Sequence, residues 1–362
     1  MRQNKVFILC NSIFLSFLVS TLTTSIASKE SVNTIWAVSS FGNNDYFHQV
    51  SDIETDLTRE VIYIADSGNH RVLAFDFQGK FQKIIGSKGQ GPSEFSRPTG
   101  LHIFKDGGLA VADVGNRRIQ IFDRHGEFVK SINTKNVQVA DMIFIGDNIY
   151  AIMTFGYSGY SLKMVSEKEI QPLVNILNNE GDIVQSITIP DYPESQPFLR
   201  AIKHRVCLAL SYEGKLYIPH FAMNLIHIFD LKGNKLGELI RPLPFDPGDP
   251  EIVRQTSQKD SSVGMRANFD FVTKDARFGP DGHLYLLTYT ESYMDRAKRK
   301  EKGVDLPPHP MRIDVLDEET HEVVHYVKCD PEISAFDLLT KNRIVYIHED
   351  GEGEIFLKCI QF

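Results

Sequence analysis

The stretch IADSGNHRVLAFDFQGKF, residues 64–81, returns 47 residues later as VADVGNRRIQIFDRHGEF, residues 111–128. Asp66, Gly68, Asn69, Arg71, Phe75, Asp76 and Gly79 each have a counterpart in the second copy. Repetition at a period between 20 and 50 residues marks an array of small units, none of which can bury its apolar face alone. It also says what the Asp, His and Arg around the small glycine turn are for. A catalytic centre is rarely written twice, so the stretch reads as scaffold. Asp66 is expected to accept backbone N–H groups of its own turn, as Asx side chains do, and Arg71 to pair with a carboxylate at the sheet edge.

The clearest unit, residues 95–134, breaks into LHIF, LAVAD, RIQIF and FVKSI, separated by KDGG, VGN and DRHG. These are four strands joined by tight turns, and the glycines supply the positive φ such turns need. Copies fall at 47–86, 95–134, 139–190, 198–242 and 269–329, and a sixth at 332–362 stops at EIFLKCIQF without a fourth strand. VNTIWAVSSFG, residues 32–42, has the look of KFQKIIGSKG, the fourth strand of the first copy. A ring in which that N-terminal strand completes the last sheet leaves no open edge to invite aggregation. The expected fold is therefore all-β: a six-bladed β-propeller of four-stranded antiparallel blades, closed by an N-terminal strand completing the last blade.

The two strong units resemble NHL repeats, in which a strand ends in an acidic residue, turns through a Gly-Asn pair and resumes at an Arg followed by an aliphatic residue. The match is specific over 61–134, partial in copies four and six and faint in copies three and five. The resemblance implies a six-bladed propeller, a radial array whose blades pack mainly on their neighbours.

The N-terminus reads as a secretory signal peptide over 1–27: Arg2 and Lys5, an apolar run over 6–19, then a polar stretch ending in SIAS. The competing reading is an uncleaved anchor. Cys10 precedes most of the apolar run and follows Leu9, which argues against a lipidated cysteine. The expected location is extracytoplasmic, periplasmic or secreted, with no stable membrane span after cleavage. Without Arg2 and Lys5 the chain carries 37 basic and 47 acidic residues, a formal charge of −10. A phosphate-binding surface is ordinarily basic, so nucleic acid is not an expected partner, although DRAKRKEKG at 295–303 is locally basic. Three cysteines remain, Cys207, Cys329 and Cys359, with no CxxC pair, so the fold does not depend on a disulfide framework.

In a propeller the connections between second and third strands, and between one blade and the next, emerge on one face. Insertions at 154–172, 244–265 and 290–310 all fall there by the alignment of the copies. Long loops in a compact repeat are functional or disordered. Tyr157, Tyr160, Tyr293, Met294 and Arg296 supply side chains that interfaces favour; the bland alternative is that the loops pack on their own blades. Stacking the six copies places Asp66, Asp113, Met153, His220, Thr288 and Glu349 at one position, the end of the second strand. Asp66, Asp113, His220 and Glu349 there would suit a divalent cation, most simply Ca2+. Similarity to gluconolactonases and paraoxonases implies calcium at this end of the channel, though their loop patterns are missing here. Similarity to the lyase that cleaves peptidyl α-hydroxyglycine implies a three-His Zn2+ site, for which His48, His102, His220 and His348 are candidates without short ligand spacing.

GSKGQGPSEF, residues 86–95, lacks the terminal Gly-Lys-Ser/Thr of a phosphate loop and leads into a strand. No GxSxG elbow and no Cys-His nucleophile pattern is present. The leading expectation is an exported, noncatalytic binding or scaffold propeller that recognises a protein or cell-surface polymer through its inserted loops. The alternative is a metal-dependent lactonase, esterase or lyase at the channel mouth. RNA recognition, as in some cytoplasmic NHL proteins, conflicts with the acidic charge and the export signal.

Overall fold

A computed structural model describes residues 28–29, 32–135, 137–153, 174–188, 205–248, 251–256 and 263–362. Residues 1–27, read above as a signal peptide, and the insertion at 154–172, with Tyr157 and Tyr160, lie outside these described residues. Six four-stranded antiparallel sheets follow one another around an axis. Their innermost strands are Val50–Asp56, Pro98–Ile103, Val139–Ile145, Ala209–Leu210, Thr273–Phe278 and Ile333–Thr340. The outermost are Phe81–Ile85, Phe128–Asn133, Ile183–Ile187, Lys235–Leu239, Val323–Lys328 and, for the sixth blade, Asn33–Val38.

That last strand closes the ring as the sequence leads one to expect. Asn33–Val38 runs antiparallel to Ile355–Gln361, with Thr34 opposite Ile360, Trp36 opposite Cys359 and Val38 opposite Leu357. Before reaching it the chain also adds Ser28–Lys29 in parallel to the outer edge of blade five, opposite His325 and Tyr326. One N-terminal segment therefore joins the edges of two blades.

The core is divided into six apolar wedges, one at each interface between neighbouring blades. Leu109–Asp113 shows how a strand serves two of them. Leu109 and Val111 pack towards blade one while Ala110 and Ala112 pack towards blade three, because successive side chains of a strand point to opposite faces. Both faces are covered, so LAVAD is buried throughout and does not alternate with polar residues.

The turns follow from their sequences. In the hairpin between the third and fourth strands of blade one, Gly79 N–H donates to the Asp76 carbonyl at 2.9 Å. The Gln78 and Lys80 N–H groups donate to Asp76 Oδ1 at 3.0 and 2.8 Å. Gly79 takes φ +78°, a left-handed conformation that side-chain-bearing residues resist. The same arrangement recurs at Asp123 with Gly126 and at Asp230 with Gly233.

Candidate functional site

The repeated acidic turn is built identically in blades one and two. Asp66 ends the second strand and is wholly buried. Its Oδ1 accepts the His48 N–H at 2.7 Å, and its Oδ2 accepts from Asn69 Nδ2 at 3.0 Å and Arg71 Nε at 2.8 Å. Asp113 repeats this with Ser96 N–H at 2.7 Å, Asn116 Nδ2 at 2.8 Å and Arg118 Nε at 2.9 Å. The expectation that Asp66 caps its own turn is corrected: the backbone it holds is that of His48, in the segment leading into the blade's first strand, 18 residues earlier. Gly68 and Gly115 are required by the same contact, since a Cβ there would lie 2.5 Å from the His48 carbonyl oxygen and 2.4 Å from that of Ser96. Arg71 also reaches the Asp45 carboxylate, at 2.5 and 3.0 Å, at the edge of the sheet. Every acceptor oxygen of these two aspartates is occupied by scaffold donors.

The stack at the end of the second strands needs one further correction. Asp66 pairs in register with Val50, Asp113 with Pro98, Met153 with Val139, His220 with Val206 and Thr288 with Thr273. In blade six the residue opposite Ile333 is His348, not Glu349. A slip of one residue along a strand exchanges its two faces: His348 is buried, its Nδ1 2.7 Å from the Pro331 carbonyl oxygen, and Glu349 is exposed. Asp66, Asp113, His220 and Glu349 form no group that could hold a metal ion. Among the described residues no group of three or more His, Cys, Asp or Glu side chains has a geometry that could hold a metal ion, whether Ca2+ or Zn2+. His48 and His102 join no such group either.

Two insertions on the elaborated face carry structure of their own. Residues 244–265 contain most of a hairpin, Glu251–Thr256 paired with Val263–Asn268. Within 290–310 the chain forms the helix Tyr293–Glu301, which an all-β reading does not foresee. Ser292 is its N-cap, its Oγ accepting the Asp295 N–H at 3.0 Å, and long-chain helix formers with cations in the last turn complete it. Asp270 Oδ1 anchors the entry by accepting from Ser292 Oγ at 2.8 Å and Met294 N–H at 3.0 Å. Glu291 pairs with Arg296 at 2.8 Å and with Arg299. Arg296 also donates to the Pro307 carbonyl, so this candidate contact residue is occupied in holding the loop. Met294 is half-buried, whereas Tyr293 is 40% exposed while its ring lies 4.6 Å from that of Phe271. No residue of the helix is buried.

The channel holds a charged cluster that the sequence analysis did not single out. A cavity of about 260 Å3 is lined by all six innermost strands, among them Glu54, His102, Asp141, Arg277 and Asp337. Leu57, Tyr212 and Pro280, from the turns between first and second strands, also line it, so it lies towards the mouth opposite the inserted loops. Arg277 donates to Asp52 Oδ1 at 2.6 Å and to Asp275 Oδ1 at 2.7 Å. Asp52 Oδ2 accepts the Leu101 N–H at 2.8 Å, and Asp337 Oδ2 accepts that of Thr55 at 2.7 Å. Burial pushes the Asp141 carboxyl up to about 6, and burial followed by the neighbouring Asp337 charge pushes Glu54 well above the usual carboxylate range. Burial alone pushes the His102 imidazole down to about 4. The signal was present in the first strands of five copies, in SDIETD, LHIF, VADMIF, TKDARF and SAFDLL, where titratable residues sit on the strand nearest the axis.

Ring closure, six wedges and six inner strands lining a charged channel define a six-bladed β-propeller. The chain belongs to the family DUF5128, described as a 6-bladed beta-propeller, whose profile matches residues 45–239. No functionally curated protein matches the sequence. The crystal structure of a member of the DUF4221 family from Bacteroides vulgatus is similar with a TM-score of 0.58 at 9% identity, covering 91% of this chain and 98% of that one. At that identity the likeness concerns the fold. Among the described residues no helix is long and apolar enough to cross a membrane.

Proposed function

We propose that this protein is an exported, noncatalytic binding propeller that recognises a protein or cell-surface polymer through the elaborated face of the ring. The observation that carries this reading is the helix Tyr293–Glu301: anchored by Asp270 and Glu291 yet with none of its residues buried, it is a fixed platform whose outer surface the fold itself does not use. Loops placed by a rigid scaffold are where binding residues concentrate. Tyr293, braced from below by Phe271, supplies the rigid amphipathic surface that interfaces favour. The leader-like sequence over 1–27 supports export, and the Asp–Gly-Asn–Arg turn of blades one and two supports kinship with NHL propellers. Replacing residues 292–302 by a short turn is expected to abolish recovery of the partner from the extracytoplasmic fraction without changing the melting temperature. Undiminished recovery by a normally folded variant overturns the reading.

A further inference from the structure

The innermost strands gather more negative charge than they neutralise. Blade one contributes Asp52 and Glu54, blade two His102, blade three Asp141, blade five Asp275 and Arg277, and blade six Asp337. Blade four presents Cys207 and Tyr212. Lys274 adjoins Asp275, and Arg205 is close enough to act on Cys207. Arg277 is bonded to two of the five carboxylates, Asp52 and Asp275. Asp337 is held by the Thr55 and Leu338 N–H groups and Asp141 by that of Met142. Like charges so close, at low effective dielectric, cannot all ionise at once, so the group titrates as a unit.

We propose that the channel is a proton-charged clasp: with protons on Glu54 and Asp141 the six inner strands close around Arg277, and ionisation of that pair as the pH rises loads the channel with uncompensated negative charge and weakens the ring. Asp52, Asp275 and Asp337 are shifted in the same direction, each first by burial. A carboxyl group whose folded-state pKa is raised binds more protons folded than unfolded, so its contribution to stability falls as pH rises from its ordinary value to its raised one. For Asp141 that window runs from 3.8 to about 6. Half-buried His102, with His70 and His309, is shifted downward and acts in the opposite sense. The profile of the wild type alone therefore mixes both effects.

The test compares thermal melts of the wild type and the Glu54→Gln/Asp141→Asn variant from pH 4 to 8. The variant's melting temperature minus that of the wild type should widen with pH, from nearly zero at pH 4 to about 3 °C or more at pH 8. A difference that is constant or narrows overturns the proposal. Asp141→Asn alone serves if the double variant does not fold. Potentiometric titration at pH 5.5 should find a larger excess of native over denatured bound protons in the wild type than in the Glu54→Gln/Asp141→Asn variant, in which the histidine contributions are the same. An equal or smaller excess in the wild type overturns the proposal as well.

Discussion

Arg277 of the fifth blade and Asp52 of the first are 225 residues apart and meet at 2.6 Å across the channel. Blades one and five are not neighbours in the ring, so this pair braces it along a chord, and Asp52 extends the brace to blade two through the Leu101 N–H. Removing one member of a buried ion pair leaves the other uncompensated, typically at about 3–5 kcal/mol. Arg277→Met should lower the stability in urea by an amount in that range. Adding Asp52→Asn should restore part of the loss; a double variant no better than the single one would show that the pair is not the origin of the effect.

Asp66 and Asp113 provide a duplicated test of scaffold against site. Asp66→Ala leaves the His48 N–H unpaired and takes one acceptor each from Asn69 and Arg71, which keep the Tyr46 carbonyl and, for Arg71, Asp45, and about 3 kcal/mol of stability should be lost. Asp113→Ala, with the same set of donors, should lose a similar amount. In both variants partner recovery per folded molecule should equal that of the wild type, as measured by pull-down at a temperature where each is native.

His102 stacks on Phe144 at 5.5 Å between ring centroids and lies edge-on to Phe104 at 5.4 Å. With its pKa lowered from 6.5 to about 4, it stays neutral in the folded ring while the unfolded chain takes up a proton. Its contribution to stability is complete above pH 6.5 and is lost as pH falls towards 4. His102→Phe should therefore reduce the fall in melting temperature between pH 6.5 and 4.5. An unchanged acid limb in the melts counts against the assignment.

Gly79 faces Trp36 across the closing seam, where a Cβ would approach the indole Cε3 to 2.7 Å. The indole Nε1 donates to the Phe77 carbonyl at 3.0 Å, so the ring has little room to move aside. Gly79→Ala combines this collision with a left-handed φ and should cost about 2 kcal/mol. The control is Gly353→Ala, also at positive φ but with open space around its Cβ: it should cost roughly 1 kcal/mol, the conformational part alone. Equal losses in chemical denaturation would show that contact with the indole contributes nothing.

The ring was legible in the sequence because its turns repeat with their side chains. Asp76, Gly79 and the Asp66–Arg71 motif mark strand ends, and two strong copies supply the template for finding the weak ones. The inner cluster was not legible, for two reasons. A first strand is short and charged at alternate positions, which reads as a solvated face, and in blades one, three and five the register is irregular just before Asp52, Asp141 and Asp275. Such a bulge breaks the period of two from which facing is inferred. The same lack of a strict register hides that His348, not Glu349, stands opposite Ile333. The helix Tyr293–Glu301 rests on the Ser292 cap and the Asp270 anchor, and the second of these is a contact between loops that no local pattern encodes.

Trp36 is the one tryptophan in the chain, and it lies on the strand that shuts the ring. Its intrinsic fluorescence therefore reports on a single joint: an emission shift that precedes loss of far-ultraviolet circular dichroism would mean the circle had come undone while its blades were still folded. A propeller that unzips from this seam and one that melts as a whole can be told apart without adding a label.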